Sequence, residues 1–442
     1  MKKSTREYFY NKRDFGHKYV LMRTIFVFLF CLATLAAKPL KVEVSAPCAI
    51  LINADTGAIL YAKNIHEKQH PASITKIATA LYVLEKRGKE LDHLLEVSTN
   101  ALKTAPAHAR QAPNSPHPSH TLEPEGTMMR VKPGEKLSLY SFLHGLMLCS
   151  GNDAANVLAE TTSGSIDQFV AELNQFLKSE GILETQFTNP HGLHHHEHWT
   201  TAYDMALMTK LALKHETFRE IVRSAKYECP QSNKQPPRTI PQHNRLVKPG
   251  SYFYPKAIGV KTGYVAKAGH TFVGAATHEG RTLITVLLNC AESEHRFRDS
   301  IKLFETAFKE KPISRTFFAK ESDRFTLPIK GAKVPLEAIL KEDLQLTYFP
   351  AEEPAFRAEI VWDQCKLPIK GQDRVGRLRL VGEGGKIFNE LAVYAAHDVD
   401  QKWWSVVGDL CKKNKPFLLS LFLGGQVVLL LMYLVRKNQK VG

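Results

Sequence analysis

The 442-residue chain has little that would mark a metalloprotein, a disulfide scaffold or a disordered protein. None of its seven cysteines (Cys31, Cys48, Cys149, Cys229, Cys290, Cys365 and Cys411) pairs with another at metal-ligand spacing. Five of them fall in the body of the chain, an odd number, so buried free thiols are expected rather than a disulfide framework. With 44% hydrophobic and 23% charged residues, disordered and collagen-like classes are excluded. Acidic residues are the scarcer charge, 44 against 59 Lys and Arg, which leaves a net +15. An excess of that size suits a nucleic acid only if it gathers on one face. Here residues 1–23 carry a net +5 and the last 34 residues another +5, each beside an apolar segment. Charge so placed marks membrane topology, and no nucleic-acid partner is expected.

The first apolar segment, Thr24 to Ala37, is 14 residues long, short for a bilayer and typical of a leader core. Ala36 and Ala37 offer a cleavage site, so residues 1–37 read as a signal peptide, and Met22-Arg23 alone would complete a compact one. The second, 416–435, holds about 20 residues without a charge and is long enough to cross ~30 Å of hydrocarbon. An exported amino terminus then puts the body outside the cytoplasm and Arg436 to Gly442 inside. A single-pass, tail-anchored ectodomain is the expectation.

Within the body, CAILINADTGAILYAKN from Cys48 reads as two strands about the Asp55-Thr56-Gly57 turn. Pro71 opens a helix that Gly88 closes. Residues 104–125 are rich in Pro, His, Ser and Ala without periodicity and read as an exposed loop. Helical patterns recur at 137–148, 153–161 and 166–179. Strand patterns follow at 257–265, 270–277 and 282–289, and a last helix at 296–308. This order predicts an α/β (α+β) sandwich of about 270 residues spanning 38–312. From 313 to 405 short β runs between Gly- and Pro-rich turns predict a separate, small all-β domain, with LPIKG at 327–331 and again at 367–371 hinting at similar hairpins.

Three short motifs carry the chemistry: Ser73-Ile-Thr-Lys76, Ser150-Gly-Asn152 and Lys261-Thr262-Gly263. Residues three apart on a helix share a face, so the Lys76 amine reaches the Ser73 hydroxyl. The helix amino end and a second cation, Lys261, both disfavour an ammonium, and a neutral Lys76 can act as general base for Ser73. Between two helices, Ser150 is suited to relay a proton to a leaving amine. Asn152 can hold Lys76 and offer its amide to a substrate carbonyl. On a strand, Gly263 clears room for a substrate backbone, Lys261 supplies charge and Thr262 a hydroxyl for a carboxylate. The amides of Ser73 and Tyr264 would then form an oxyanion hole. Five histidines crowd into 191–198, yet the run lacks a spaced HExxH helix. A solvated loop is expected there, and no metal or other cofactor in the reaction.

These motifs in this order resemble the low-molecular-mass penicillin-binding proteins, and within them the D-alanyl-D-alanine carboxypeptidases. SITKIATA, LMLCSGNDAANVLAE, NPHGL, TTAYDMA and KTGYVAKAGHTFVGAA extend the resemblance over roughly 45–310, and PIKGQDRVGRLRL resembles the family's β domain. The resemblance implies a serine β-lactamase/penicillin-binding-protein-like fold and an acyl-enzyme on Ser73. Peptidoglycan stem peptides would be substrates, β-lactams inhibitors, and the catalytic domain would lie on the periplasmic side of a bacterial cytoplasmic membrane. By position Arg296 resembles the family's carboxylate-binding arginine, with Arg281 and Arg298 as neighbouring alternatives. A class A β-lactamase is disfavoured, because SGN stands where SDN would and no ExxLN follows it. A D,D-endopeptidase would use the same residues, and a non-enzymatic peptidoglycan-binding membrane protein would have broken motifs.

Overall fold

The computed structural model describes residues 26–29 and 39–413. The 416–435 segment lies outside these, as do residues 1–37, expected to be a leader, except a four-residue strand, Phe26–Leu29. Among the described residues no helix is long and apolar enough to cross a membrane. The described residues divide into two compact units, one of 39–313 with 348–354, the other of 26–29, 314–347 and 355–413.

The first unit is built on a five-stranded antiparallel sheet. Its strands are β1 (Cys48–Asn53), β2 (Ile59–Lys63), β3 (Ala257–Val265), β4 (Gly269–His278) and β5 (Arg281–Cys290), in the order β2-β1-β5-β4-β3. The first and last strands of the unit thus pair inside the sheet, β1 beside β5. Both faces are covered, so the central strands are largely apolar and alternate residues feed two cores. Cys48, Ile50 and Ile52 of β1 enter the larger core, made with the helices between β2 and β3. Ala49 and Leu51 enter the smaller one, beneath the last helix of the unit.

Those helices are α1 (Lys76–Arg87), α2 (Leu139–Met147), α3 (Asn152–Ser163), α4 (Ile166–Ser179), α5 (Ala202–Ala212) and α6 (Glu216–Arg223), with α7 (His295–Phe308) closing the second face. A 3₁₀ turn, Ala72–Thr75, leads into α1. The ends obey local chemistry. Ser138, Ser165 and Thr201 cap α2, α4 and α5 through their side-chain oxygens, and Gly164 ends α3 at φ 83°. The segment 348–354, which the sequence pattern assigns to the β region, belongs to this first unit. Its Ala351 is fully buried in the smaller core, and Glu352 accepts Arg281 Nε at 2.6 Å and Asn53 Nδ2 at 2.8 Å.

The second unit has a sheet containing Arg324–Leu327, Leu336–Leu340, Phe356–Trp362, Arg374–Gly382 and Ile387–Ala395, all antiparallel to their neighbours. Its own core includes Leu336, Leu344, Val375, Leu380 and Val393. The LPIKG at 367–371 lies within the connection 363–373, whereas the copy at 327–331 starts on the last residue of a strand and runs into the connection 328–335. Cys48, Cys149, Cys229, Cys290 and Cys365 are free thiols, as the odd count implied.

Candidate active site

Ser73 sits in the 3₁₀ turn, half-buried, one residue after an Ala72 held at φ +51°. Two outside contacts set that strained turn. Thr271 Oγ1 of β4 donates to Pro71 O at 2.8 Å, and Gly192 backs onto the Ala72 carbonyl, where any Cβ would overlap the oxygen. One turn on, Lys76 is fully buried at the start of α1. Its Nζ lies 3.1 Å from Ser73 Oγ, 2.7 Å from Asn152 Oδ1 and 2.7 Å from the carbonyl of His191. Burial holds the Lys76 amine well below its ordinary pKa, and the charge of Lys261 lowers it further. As a neutral amine, Lys76 can place its two N–H groups on Asn152 and His191, which leaves the lone pair facing the Ser73 hydroxyl.

Ser150 and Asn152 reach the site from the turn between α2 and α3. Ser150 adopts φ +64° and is buried, and its Oγ has no hydrogen-bond partner among the described residues. A buried hydroxyl without a partner is costly unless it serves a ligand. Asn152 is the first residue of α3, so its side chain projects from a rigid element toward Lys76. Behind it, the buried Asp153 carboxylate accepts the amides of Met129, Arg130 and Val131 and fixes that irregular stretch against the start of α3.

Strand β3 forms the opposite wall. Lys261 is buried, its Nζ donating to Thr262 O at 3.0 Å, and burial brings its pKa down to about 7, with Arg296 contributing. Gly263 lies against the nucleophile turn. Tyr264 is exposed and stacks on His270 with centroids 4.5 Å apart. Of the three arginines near the last helix, only Arg296 faces the cleft. Its Nη1 donates to Gly263 O at 3.0 Å and its Nη2 to Ser293 Oγ at 3.0 Å, while its Nε has no partner among the described residues. Arg281 is committed to Glu352 and Glu310, and Arg298 pairs with Glu294 on the surface.

The cleft encloses about 750 Å³, and Ser73, Ser150, Asn152, Thr262, Gly263 and Arg296 all line it. Sequence reasoning missed His243, Arg245 and Lys248, which also line it from an irregular stretch with no motif. Burial pushes the His243 imidazole down to about 4, so it is neutral among these cations. The 104–125 segment is mostly exposed or half-exposed, as expected of a loop, but it is anchored from within. A short helix, Ala107–Arg110, turns Arg110 inward until it is 4% exposed. There Arg110 pairs with Glu123 at 2.7 Å and donates to His194 O at 2.9 Å, so the segment packs as part of the cleft rim. An Arg–Glu pair folded in this way gives no periodic signal in sequence.

Residues 33–292 match the family described as D-alanyl-D-alanine carboxypeptidase. The D-alanyl-D-alanine carboxypeptidase DacF of Bacillus subtilis is 29% identical over 356 residues, 80% of this chain and 86% of its own length. DacC of Escherichia coli, of the same description, is 32% identical over 64% of this chain and 67% of its own. In fold, the crystal structure of the carboxypeptidase DacD from Francisella tularensis superposes with a TM-score of 0.57 over 83% of this chain and 96% of its own, at 24% identity. The family match takes in all three motifs that meet in the cleft, and the chain belongs to the D-alanyl-D-alanine carboxypeptidase family.

Proposed function

We propose that the chain is a serine-type D-Ala-D-Ala carboxypeptidase that removes the terminal D-alanine from peptidoglycan pentapeptides. The observation that carries this reading is the fully buried Lys76 amine 3.1 Å from Ser73 Oγ, with acceptors on its other side for both remaining protons. Lys76 takes the Ser73 proton as Oγ attacks the carbonyl carbon between the two D-alanines. The amides of Ser73 and Tyr264 hold the oxyanion. The C–N bond then breaks, and the leaving D-alanine amine takes a proton through Ser150, whose unpartnered hydroxyl suits a relay. Thr262, Lys261 and Arg296 hold the terminal carboxylate, and the side-chain amide of Asn152 takes the peptide backbone. Water cleaves the ester on Ser73 and regenerates the enzyme.

A β-lactam enters the same path, but its amine stays tethered after the ring opens, so the acyl-enzyme persists. The cations lining the cleft suit a substrate ending in a carboxylate, and every step uses groups of the chain itself. The apolar 416–435 segment and the leader support a single-pass anchor in the cytoplasmic membrane, with the catalytic unit on the extracytoplasmic side.

The direct test incubates a muramyl pentapeptide with the full chain in detergent and follows the peptide by mass spectrometry, with and without penicillin. Loss of one alanine that penicillin abolishes is expected. An untouched pentapeptide beside normal penicillin labelling would transfer the activity to cross-link cleavage, and neither reaction nor labelling would reject the enzyme.

A further inference from the structure

Four of the five histidines of the 191–198 run fall into two sets. His191 and His198 are buried and committed at both ring nitrogens. His198 Nδ1 accepts the Thr188 amide at 3.0 Å, and its Nε2 lies 2.9 Å from Thr75 Oγ1, beside the nucleophile. His191 Nδ1 accepts the Leu193 amide at 3.1 Å, and its Nε2 lies 3.1 Å from His120 O. Between these anchors stands a tip of different character, His195-His196-Glu197, half-buried to exposed. One ligand atom from each of the three lies within 4.8 Å of the others, and the two imidazole centroids are 4.3 Å apart. Among the described residues, neither the His196 imidazole nor the Glu197 carboxylate hydrogen-bonds or ion-pairs with anything beyond this cluster.

We propose that this tip is a binding site for a divalent transition-metal cation of the zinc class, separate from the serine chemistry. Two imidazoles and one carboxylate form a borderline-soft donor set that zinc accepts, whereas magnesium and calcium favour oxygen alone. Three ligands leave a fourth tetrahedral position open to water, the pattern of an exchangeable site rather than a structural one. Ligands about 2.0–2.1 Å from one zinc sit roughly 3.3 Å apart, so the cluster must contract by about 1.5 Å. Rotation of the exposed side chains supplies that movement while His191 and His198 keep the loop ends in place.

Binding also changes the turn itself. His195 Nδ1 now accepts the Glu197 amide at 3.2 Å, so the imidazole proton is on Nε2. Coordination through Nε2 moves that proton to Nδ1, and coordination through Nδ1 displaces the amide. Either way the Glu197 N–H is released.

The test uses the full chain, zinc chloride and a chromophoric chelator in competition, with no dependence on peptidase activity. One zinc per chain is expected, together with the visible absorption of tetrahedral cobalt when Co²⁺ replaces it. Binding is lost in a His195→Ala/His196→Ala variant and kept in a His108→Ala/His117→Ala control. Unchanged penicillin labelling without zinc shows the variants to be folded. Should the double variant lose labelling, Glu197→Gln replaces it, with affinity expected to fall by at least the roughly tenfold that even an outer-shell change costs. No zinc uptake by the native chain, or uptake that survives His195→Ala/His196→Ala, overturns the site.

Discussion

Gly263 and Ser73 are in contact through backbone alone: a Cβ at position 263 would lie 2.9 Å from the Ser73 amide nitrogen. It would also lie 3.2 Å from the Ile74 nitrogen and would overlap Thr271 Oγ1, whose hydroxyl holds Pro71 O. Strand β3 and the nucleophile turn are thus seated without room for one methyl group. Gly263→Ala must push the strand off the turn and move the Ser73 amide out of the proposed oxyanion hole. Loss of a single such donor costs about 10²–10³ in rate. Labelling by a fluorescent penicillin should slow by that order while the chain stays folded, and labelling within twofold of native would show the contact to be dispensable.

Lys76 separates two roles that a positive charge beside a serine can play. Lys76→Ala removes both base and charge, whereas Lys76→Arg keeps a charge that does not titrate in the working range. If Lys76 acts as the base, both variants lose acylation by about 10²–10⁴ while still binding substrate. Rapid-quench acylation by penicillin reads this directly. An arginine variant that acylates at a near-native rate would mean that the lysine serves as a charge alone.

The two buried lysines also set a pH window. Lys76 must be neutral to accept the serine proton, so kcat/KM is lost as pH falls through its depressed pKa. In the proposed reaction Lys261 is charged to hold the carboxylate, and its pKa of about 7 in the free enzyme means that this charge is lost as pH rises through neutrality. Lys261→Arg replaces that group with one that stays protonated, so the alkaline limb should move up by more than about one pH unit. An alkaline limb left in place by the arginine would assign it to another group.

How much of this was legible in the sequence depended on whether an interaction has a side-chain period. Ser73 and Lys76 were readable because three residues on a helical turn share a face, and Asn152 because a turn between two helices exposes its first residue. The third partner of Lys76, the His191 carbonyl, was not readable, since any residue carries a carbonyl and only the fold aims it. Helix α5 was missed for a related reason. Ala202, Met205, Ala206, Met208 and Thr209 are all buried, so α5 lacks the polar face that makes a helix visible as a pattern. Glu352 was placed with the β region by its number, but Arg281 and Asn53 hold it in the first unit.

Arg110 and Glu123 tie down the segment that forms the cleft rim. The arginine side chain is 1% exposed, so its loss leaves a carboxylate and the His194 carbonyl short of a donor in a largely dry place. Arg110→Leu should cost about 3 kcal/mol. At about 2–4 °C per kcal/mol for a unit of this size, thermal unfolding should shift down by roughly 6–12 °C. Glu123→Gln keeps an acceptor and should cost less. A Tm unchanged in Arg110→Leu would mean that the segment is held by its backbone contacts instead.

Arg296 offers the cleanest separation of binding from chemistry, because it touches the wall and not the nucleophile. Its guanidinium is anchored through Gly263 O and Ser293 Oγ, and burial lowers its pKa only to about 10, so it remains charged at neutrality. A fixed, partly desolvated cation of this kind recognises a terminal carboxylate and has little to offer a neutral end. Arg296→Ala should therefore lower kcat/KM for a pentapeptide ending in free D-alanine by about 10²-fold, a loss of a charge-assisted pair on the order of 3 kcal/mol. The same substitution should leave the slow turnover of the C-terminal amide analogue within about threefold of native, since no carboxylate is there to lose. Equal losses on the acid and the amide would place Arg296 in support of the Gly263 strand rather than in recognition of the substrate.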